Sequence, residues 1–475
     1  MKTGRIIFLL FGVFAFFIVH GQPFFDVTEF GAVPDAKQPQ TDVLQKAIDV
    51  CAEAGGGTVV FPPGIYRSAT LVLKSNVYLH LSPGAELVSS RNENEFKLFT
   101  DAGFHASGLP VQVFAVNAVN IGISGTGIID GKAEYFLDDL EGIDNFVAEE
   151  FRIAREAGVP MKKHKKIPPL TVMVFFNNCR NVTFRDASFL NSMHWGIHLK
   201  SCRDVVVDGI KIYSSLEKGA NSDGLDIDGC SNVSVSNCII ETGDDAIVLK
   251  TTDKDGPATP CENITVNNCI LSSTSAALKL GTESFADFRH IVFSNCIIRN
   301  TNRGLAIIIR DGATAENILF SNITIDCRRK DFYWWGSGDP IWLVVTQRNE
   351  NSKIGHIRNV FFSNIRVTGQ GTTKIEGHPE RPLENIQFSD VSIKMDPEDR
   401  PDKRALQGFY AHDVKNLEMN HFKITWNEKE PEPKWQHGAV FENISGLNWN
   451  EVSIDPVPGK DEPAVIFKNV LSKKL

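Results

Sequence analysis

The chain has no Cys-x-x-Cys pair, no Cys/His cluster at zinc-ligand spacing, and no long apolar run after its first 21 residues. The first two absences argue against a structural zinc site. The third leaves no internal segment suited to span a membrane. Basic residues are not in excess: 49 Lys and Arg against 58 Asp and Glu give a net charge of −9. A non-specific binder of nucleic-acid backbones carries the opposite balance. No Pro/Ser-rich linker divides the 475 residues, although length alone allows about three domains. Nine cysteines cannot all pair within one chain. Most of them recur at matching positions of a repeat. They read as buried thiols filling small core slots rather than as a disulfide framework.

The apolar run that is present lies at the start. Lys2 and Arg5 precede Ile6 to Val19, and Gly21 precedes a cut expected before Gln22. This is the pattern of a signal peptide over residues 1–21, implying a secreted or periplasmic mature protein over 22–475. The alternative, a membrane anchor, is disfavoured by the shortness of the run. No cysteine stands at the cut to carry a lipid.

What fills the rest is a repeat. A polar residue, usually Asn, is followed by alternating apolar residues and often by Asn-Cys. The copies open at Asn181, Asp204, Asn232, Asn263, His290 and Asn317, at intervals of 23, 28, 31, 27 and 27 residues. Looser copies open at Asn359, Asn385, Asn416 and Asn443. Strands this short, alternating with period two and with no helix between them, predict an all-β, single-stranded, right-handed parallel β-helix. Successive coils then stack ~4.8 Å apart. A second strand recurs in each coil, beginning at Trp195, Asp223, Asp245, Ala276 and Arg303. Its third and fifth positions are always Ile or Leu, so Ile197, Leu225, Ile247, Leu278 and Leu305 are expected to stack in the core. Strict alternation sends the second position (Gly or Ala) and the fourth (His198, Asp226, Val248, Lys279, Ala306) outward, giving a shallow trough for an extended chain molecule.

An amphipathic helix near Asp42 to Ala54, capped by Thr41 and ended by Gly55-Gly56-Gly57, is expected to close the N-terminal end of the stack. Residues 133–167 interrupt the repeat and read as a charged, helical insertion, either a lid over the trough or a solvated excursion. Residues 327–358 read as a long loop rich in aromatics (Phe332, Tyr333, Trp334, Trp335, Trp342). These are placed either to stack on sugars or to form a local mini-core.

Asp223 and Asp245 share the first column one coil apart, and Asp244 adjoins Asp245 after Gly243. If the backbone bends there, three carboxylates crowd together with Asp226 and Asp228 nearby. They cannot all ionise easily, so at least one becomes a general acid beside a general base. Glycoside hydrolysis needs that pairing. An aspartate ladder that is merely structural, or that binds calcium, is the competing reading.

The chain resembles glycoside hydrolase family 28, the polygalacturonases and their relatives, from about residue 25 to about residue 370. The resemblance rests on Phe30-Gly-Ala, Ala54-Gly-Gly-Gly-Thr-Val, Lys74-Ser-Asn-Val, Ser124-Gly-Thr-Gly-Ile-Ile-Asp-Gly131 and Asn191-Ser-Met-His-Trp-Gly-Ile-His198. It rests further on Asn221-Ser-Asp223-Gly-Leu-Asp226, Gly243-Asp244-Asp245 and the Lys250 that follows. It implies that Asp244 protonates the glycosidic oxygen and that Asp223 and Asp245 activate water with inversion; no metal or cofactor is expected. Stacking on adjacent coils nevertheless predicts carboxylates closer than the ~6.5–9.5 Å usual for inverting pairs.

Two family motifs are missing. The Gly-His-Gly segment falls on Ser275-Ala276-Ala277, and the Arg-Ile-Lys segment on Ala306-Ile307-Ile308. Lys279, Arg303 and Arg310 are the nearby cations to supply charge from shifted positions. Gly281-Thr-Glu283 resembles the Gly-Ser-Glu of some exo-acting members. His198, Asn221, Asp226, Lys250, Lys279, Glu283, Arg303 and Arg310 are therefore the expected substrate-binding set. The expected partner is an acidic polysaccharide, and the protein is expected to be a monomer. A β-helix lyase or epimerase and a non-catalytic glycan-binding solenoid are the alternatives.

Overall fold

The computed structural model describes residues 23–97, 110–133, 135–136, 152, 155–158, 165–166, 171–254, 256–330, 336–400 and 402–474. Nearly all of it is one stack of parallel strands, a right-handed parallel β-helix as the repeat predicts. Each full coil contributes three strands, for example Ile197–Lys200, Arg203–Asp208 and Lys211–Tyr213, and each pairs in parallel with its counterpart one coil away.

The asparagines that open the repeats explain how such tight corners are made. Asn181, Asn232, Asn263, Asn317, Asn359, Asn385, Asn416 and Asn443 all have φ between 53° and 58°, a left-handed conformation that Asn tolerates better than other side-chain-bearing residues. Their amides then stack: Asn385 donates to Asn359 at 2.8 Å and Asn416 to Asn385 at 2.9 Å. Inside the stack Phe293, Phe320, Phe362 and Phe388 lie ring on ring, with centroids 4.9, 5.1 and 4.7 Å apart. Phe362 sits mid-ladder and is buried. Phe362→Ala leaves a cavity between two rings and should cost ~3–5 kcal/mol, read as a lowered urea midpoint. All nine cysteines are buried free thiols, and Cys179, Cys238, Cys269 and Cys296 each contact the carbonyl two residues back.

Helix α1 (Thr41–Glu53) covers the N-terminal coil with Leu44, Ala47, Ile48 and Cys51. Thr41 does not cap it. Gln40 holds the cap position without a side-chain bond, while the Thr41 hydroxyl accepts Ala69 N–H at 2.9 Å and ties the helix to the coil. Gly55, Gly56 and Gly57 follow the helix with positive φ, as their sequence predicts.

The signal peptide and Phe332 to Trp335 lie outside the described residues, as does most of 133–167, of which Tyr135–Phe136 pairs antiparallel with Lys165–Lys166. The 327–358 stretch is not loop throughout: Asp339–Val345 returns to the stack as a strand. Among the described residues no helix is long and apolar enough to cross a membrane.

The face that matters below consists of β1 (Val172–Asn177), β2 (Ile197–Lys200), β3 (Leu225–Asp228), β4 (Ile247–Thr251), β5 (Ala276–Ser284), β6 (Arg303–Ile309), β7 (Asp339–Val345) and β8 (Thr373–Glu376), each parallel to the next. Ile197, Leu225, Ile247, Leu278 and Leu305 pair in the expected register and are buried in the core. The Gly/Ala column does not face outward. Ala246 and Ala277 belong to the core, and a Cβ on Gly224 or Gly304 would strike Ile240 or Ile325. The chain turns a corner between the first and third positions, which breaks the alternation. First- and fourth-position side chains therefore share the outer face, and the small residues exist for tight packing inside the corner.

Candidate active site

The corner is what brings adjacent aspartates together. Gly243 has no room for a side chain: a Cβ would lie 2.3 Å from Ser215 O and 2.5 Å from Gly219 O. Its value is close approach rather than an unusual φ. Three hydroxyls then pin the turn. Thr274 donates to Gly243 O at 2.6 Å, while Thr242 and Ser273 donate to Asp244 O at 2.7 and 2.6 Å. Asp244 accepts the backbone N–H groups of Asn221 (3.1 Å) and Asp245 (2.9 Å) on its two oxygens. Asp223 arrives from the coil before, where Gly224 N–H bonds to Asp245 O. One carboxyl oxygen from each of Asp223, Asp244 and Asp245 lies within 4.8 Å of the others.

Two lysines separate the acids chemically. Lys279 Nζ sits 2.5 Å from Asp245, which also accepts from the Ser275 hydroxyl and Ala276 N–H. Burial raises the Asp245 pKa, but Lys279 and then Lys250 outweigh it, and the carboxyl stays below its usual range. Lys250 Nζ lies 3.0 Å from Asp223 and 2.8 Å from the fully buried Asp226, over the Trp195 ring at 3.7 Å. Burial leaves the Asp223 pKa raised despite Lys250. For Asp244, burial first and then the charges of Asp223 and Asp245 outweigh the two lysines and push the pKa up to about 8. A neutral acid and an ionised carboxylate thus stand side by side at neutral pH. The cations that balance the cluster are the ammonium groups of Lys250 and Lys279.

These groups open into a cavity of about 680 Å³. Its wall includes Asn221, Lys250, Lys279, Glu283, Arg303 and Arg310 of the expected binding set. Glu283 is delivered by a bulge, since β5 has three residues between Leu280 and Ser284 where β4 has only Lys250 between Leu249 and Thr251. Burial raises its pKa, but Lys250, Lys279 and Arg348 more than compensate.

His198 and Asp226 do not reach the wall. His198 is 1% exposed, held between the Phe175 and Trp195 rings with Nε2 3.2 Å from Asp228. Burial depresses its pKa, and it supports the floor. Asp226 lies beneath Lys250 with its pKa raised by burial. Each is covered by a larger neighbour, His198 by the Trp195 ring and Asp226 by Lys250, whereas Lys279 in the same column reaches the cavity.

Sequence reasoning missed Arg348. It grips Asp311 through two bonds of 2.7 and 2.9 Å and Thr282 O at 3.0 Å. It lies one coil beyond Arg310, to whose carbonyl its N–H bonds; extending the repeat past β6 would have found it. Trp342, expected in a loop, is on β7 under the Arg303 guanidinium, 4.2 Å from its ring centre.

Residues 88–405, 318 of the 475, match the family model "Glycosyl hydrolases family 28", and residues 24–135 match "Rhamnogalacturonase A/epimerase, pectate lyase-like". The chain is 22% identical over 236 residues to a probable polygalacturonase of Vitis vinifera, covering 47% of this chain and 44% of that protein. It is 25% identical over 252 residues to an exo-poly-alpha-D-galacturonosidase of Dickeya chrysanthemi, covering 47% and 41%. Each match spans under half the relative's length. The solved exopolygalacturonase of Thermotoga maritima superposes with a TM-score of 0.63 at 22% identity, over 84% of this chain and 91% of that one, a likeness of fold. With the family model spanning both aspartate motifs and most of the stack that carries them, the chain belongs to glycosyl hydrolases family 28.

Proposed function

We propose that this protein is a secreted glycosidase that hydrolyses a pectic or other acidic polysaccharide from a chain end. The observation that carries the reading is the neutral Asp244 set against the ionised Asp245 in one cavity. Asp244 gives its proton to the glycosidic oxygen as the bond from that oxygen to the anomeric carbon breaks. Water adds to the anomeric carbon and loses a proton to Asp245, with Asp223 holding the same water. Solvent exchange returns the protons. Similarity to polygalacturonases supports the substrate class.

Exo action is supported by the shape of the outer face. On the N-terminal side of the aspartates, Phe114 and Phe175 continue the His198 column and are at most 1% exposed, which supports a closed face for an extended chain there. Toward β7 and β8 the face carries Trp342, Lys374 and Glu376. Inversion rests on the resemblance, because carboxyl oxygens within 4.8 Å are nearer the ~5 Å typical of retaining pairs.

The test is a digest of pectic and algal polysaccharides followed by chromatography and proton NMR. Monomer or dimer released from the first time point, the anomer opposite to the substrate's, and no new ultraviolet absorbance from an unsaturated uronide are expected. A ladder of long products removes exo action, retention of the anomer removes inversion, and an unsaturated product replaces hydrolysis by a lyase reaction.

A further inference from the structure

The cavity is not uniformly polar. Ile308, Val344 and Trp342 also form part of its wall, and Ile308, with Ala276 and Ala306, makes a separate apolar cluster on the outer face against which Trp342 and Val344 pack. Among the described residues it is one of two apolar clusters outside the main core, the other being Val111, Phe114, Val172 and Phe175 on the N-terminal side, and it is the one that lines the cavity. Ile308 and Val344 pair directly across β6 and β7, so their side chains form one continuous surface.

Arg310, two residues beyond Ile308, also lines the wall, and four other cations around that surface each hold a carboxylate of the protein. Lys279 is on Asp245, Lys250 on Asp223 and Asp226, Arg303 on Asp339, and Arg348 on Asp311. Asp339 is held by Lys374 as well, at 2.9 Å. A carboxylate brought against Ile308 and Val344 would lose its water and gain no donor from them, a large cost. A methyl group there loses nothing polar, and each buried CH₂-sized group gains ~0.8 kcal/mol.

Resting on the hydrolase reading above, we infer that the sugar bound beside Asp244 and Asp245 presents an uncharged, methyl-bearing group to Ile308 and Val344. Two sources offer that chemistry: the C6 methyl of a 6-deoxyhexose, and the methyl ester of a uronide. Ile308 and Val344 are specificity-determining positions, and the acid/base chemistry is untouched by them.

The experiment compares three sets of oligosaccharides: unsubstituted galacturonides, their methyl esters, and pectic oligomers ending in a 6-deoxyhexose. Wild type should cut one methyl-bearing set at least tenfold better in kcat/KM than the free acid, and which set it is identifies the source. Ile308→Lys should reverse the preference by tenfold or more. Ile308→Ala, which adds no charge, should raise KM for the methyl-bearing substrate more than for the free acid, with the loss falling on KM rather than kcat, so that the preference narrows. Thermal melts establish that both variants fold; if Ile308→Lys does not, Ile308→Ala and the wild-type preference decide. A wild-type preference for the free acid, lost in Arg310→Ala, overturns the inference while the hydrolase reading stands. No cleavage of any set by wild type retires both.

Discussion

Asp244→Asn is expected to lower kcat by ~10²–10⁴-fold, the usual worth of a positioned proton donor, on any glycan that wild type cuts. The argument starts from protonation. With its pKa pushed up to about 8, Asp244 carries a transferable proton at neutral pH and lines the cavity. Asparagine keeps the volume and the neutrality but has no acidic proton. Binding should change little, so KM stays within a few fold and the loss falls on kcat. A substrate with a good leaving group, such as a nitrophenyl glycoside, needs less protonation and should lose much less. Wild-type kcat in the variant, on a polysaccharide, would remove Asp244 from the reaction.

The same substitution has a stability signature that does not depend on activity. Asp244 accepts two backbone N–H groups, and asparagine has one acceptor oxygen, so the variant loses one bond at every pH. Wild type carries an opposite, pH-dependent burden. Its folded-state pKa of about 8 exceeds the unfolded value of ~3.9. The native state therefore holds the extra proton between those values, and stability falls as pH rises through that window. Asp244→Asn lacks this loss. Its melting temperature relative to wild type should climb from pH 4 to pH 8 and level off above.

The fold was legible because its rules are local. Asn recurs where φ must be positive, and Ile or Leu recurs at the third and fifth positions of the second strand. One residue of misregister would have put Leu225 outside, so the pattern fixes the stacking of Ile197 through Leu305. Asp223, Asp244 and Asp245 followed from that register and from Gly243. What was not legible was the corner. Strict alternation put Gly224 and Ala246 outside, when the bend turns them in and lets Asp245 share a face with Lys279. Nor was it legible that Trp195 covers His198 and Lys250 covers Asp226. Arg348 escaped because its coil arrives after the irregular stretch beyond Cys327, where the sequence repeat is hard to follow. Its partner Asp311 and the bulge at Glu283 are visible only once the coils are stacked.

Lys279→Met displaces the whole pH profile to higher pH and cuts activity most at its acid end. Lys279 is the largest influence holding Asp245 down, at 2.5 Å. Without it the Asp245 pKa rises, so the base is lost to protonation at a higher pH than in wild type. Lys279 also lowers the Asp244 pKa; its removal keeps the acid protonated further into the alkaline range. Both limbs of kcat/KM therefore move the same way, and at pH 5 the rate should fall on the order of 10²-fold while at pH 8 it falls far less. The limbs belong to the three carboxyls together, since their titrations interact. A purely structural lysine behaves differently. Breaking a buried ion pair costs stability, ~3–5 kcal/mol, and would depress the rate evenly across pH. Lys279→Arg, which restores the charge, should recover the positions of the limbs even where it does not recover the full rate. If neither limb moves in Lys279→Met, the division of labour between a neutral Asp244 and an ionised Asp245 is not what this lysine maintains.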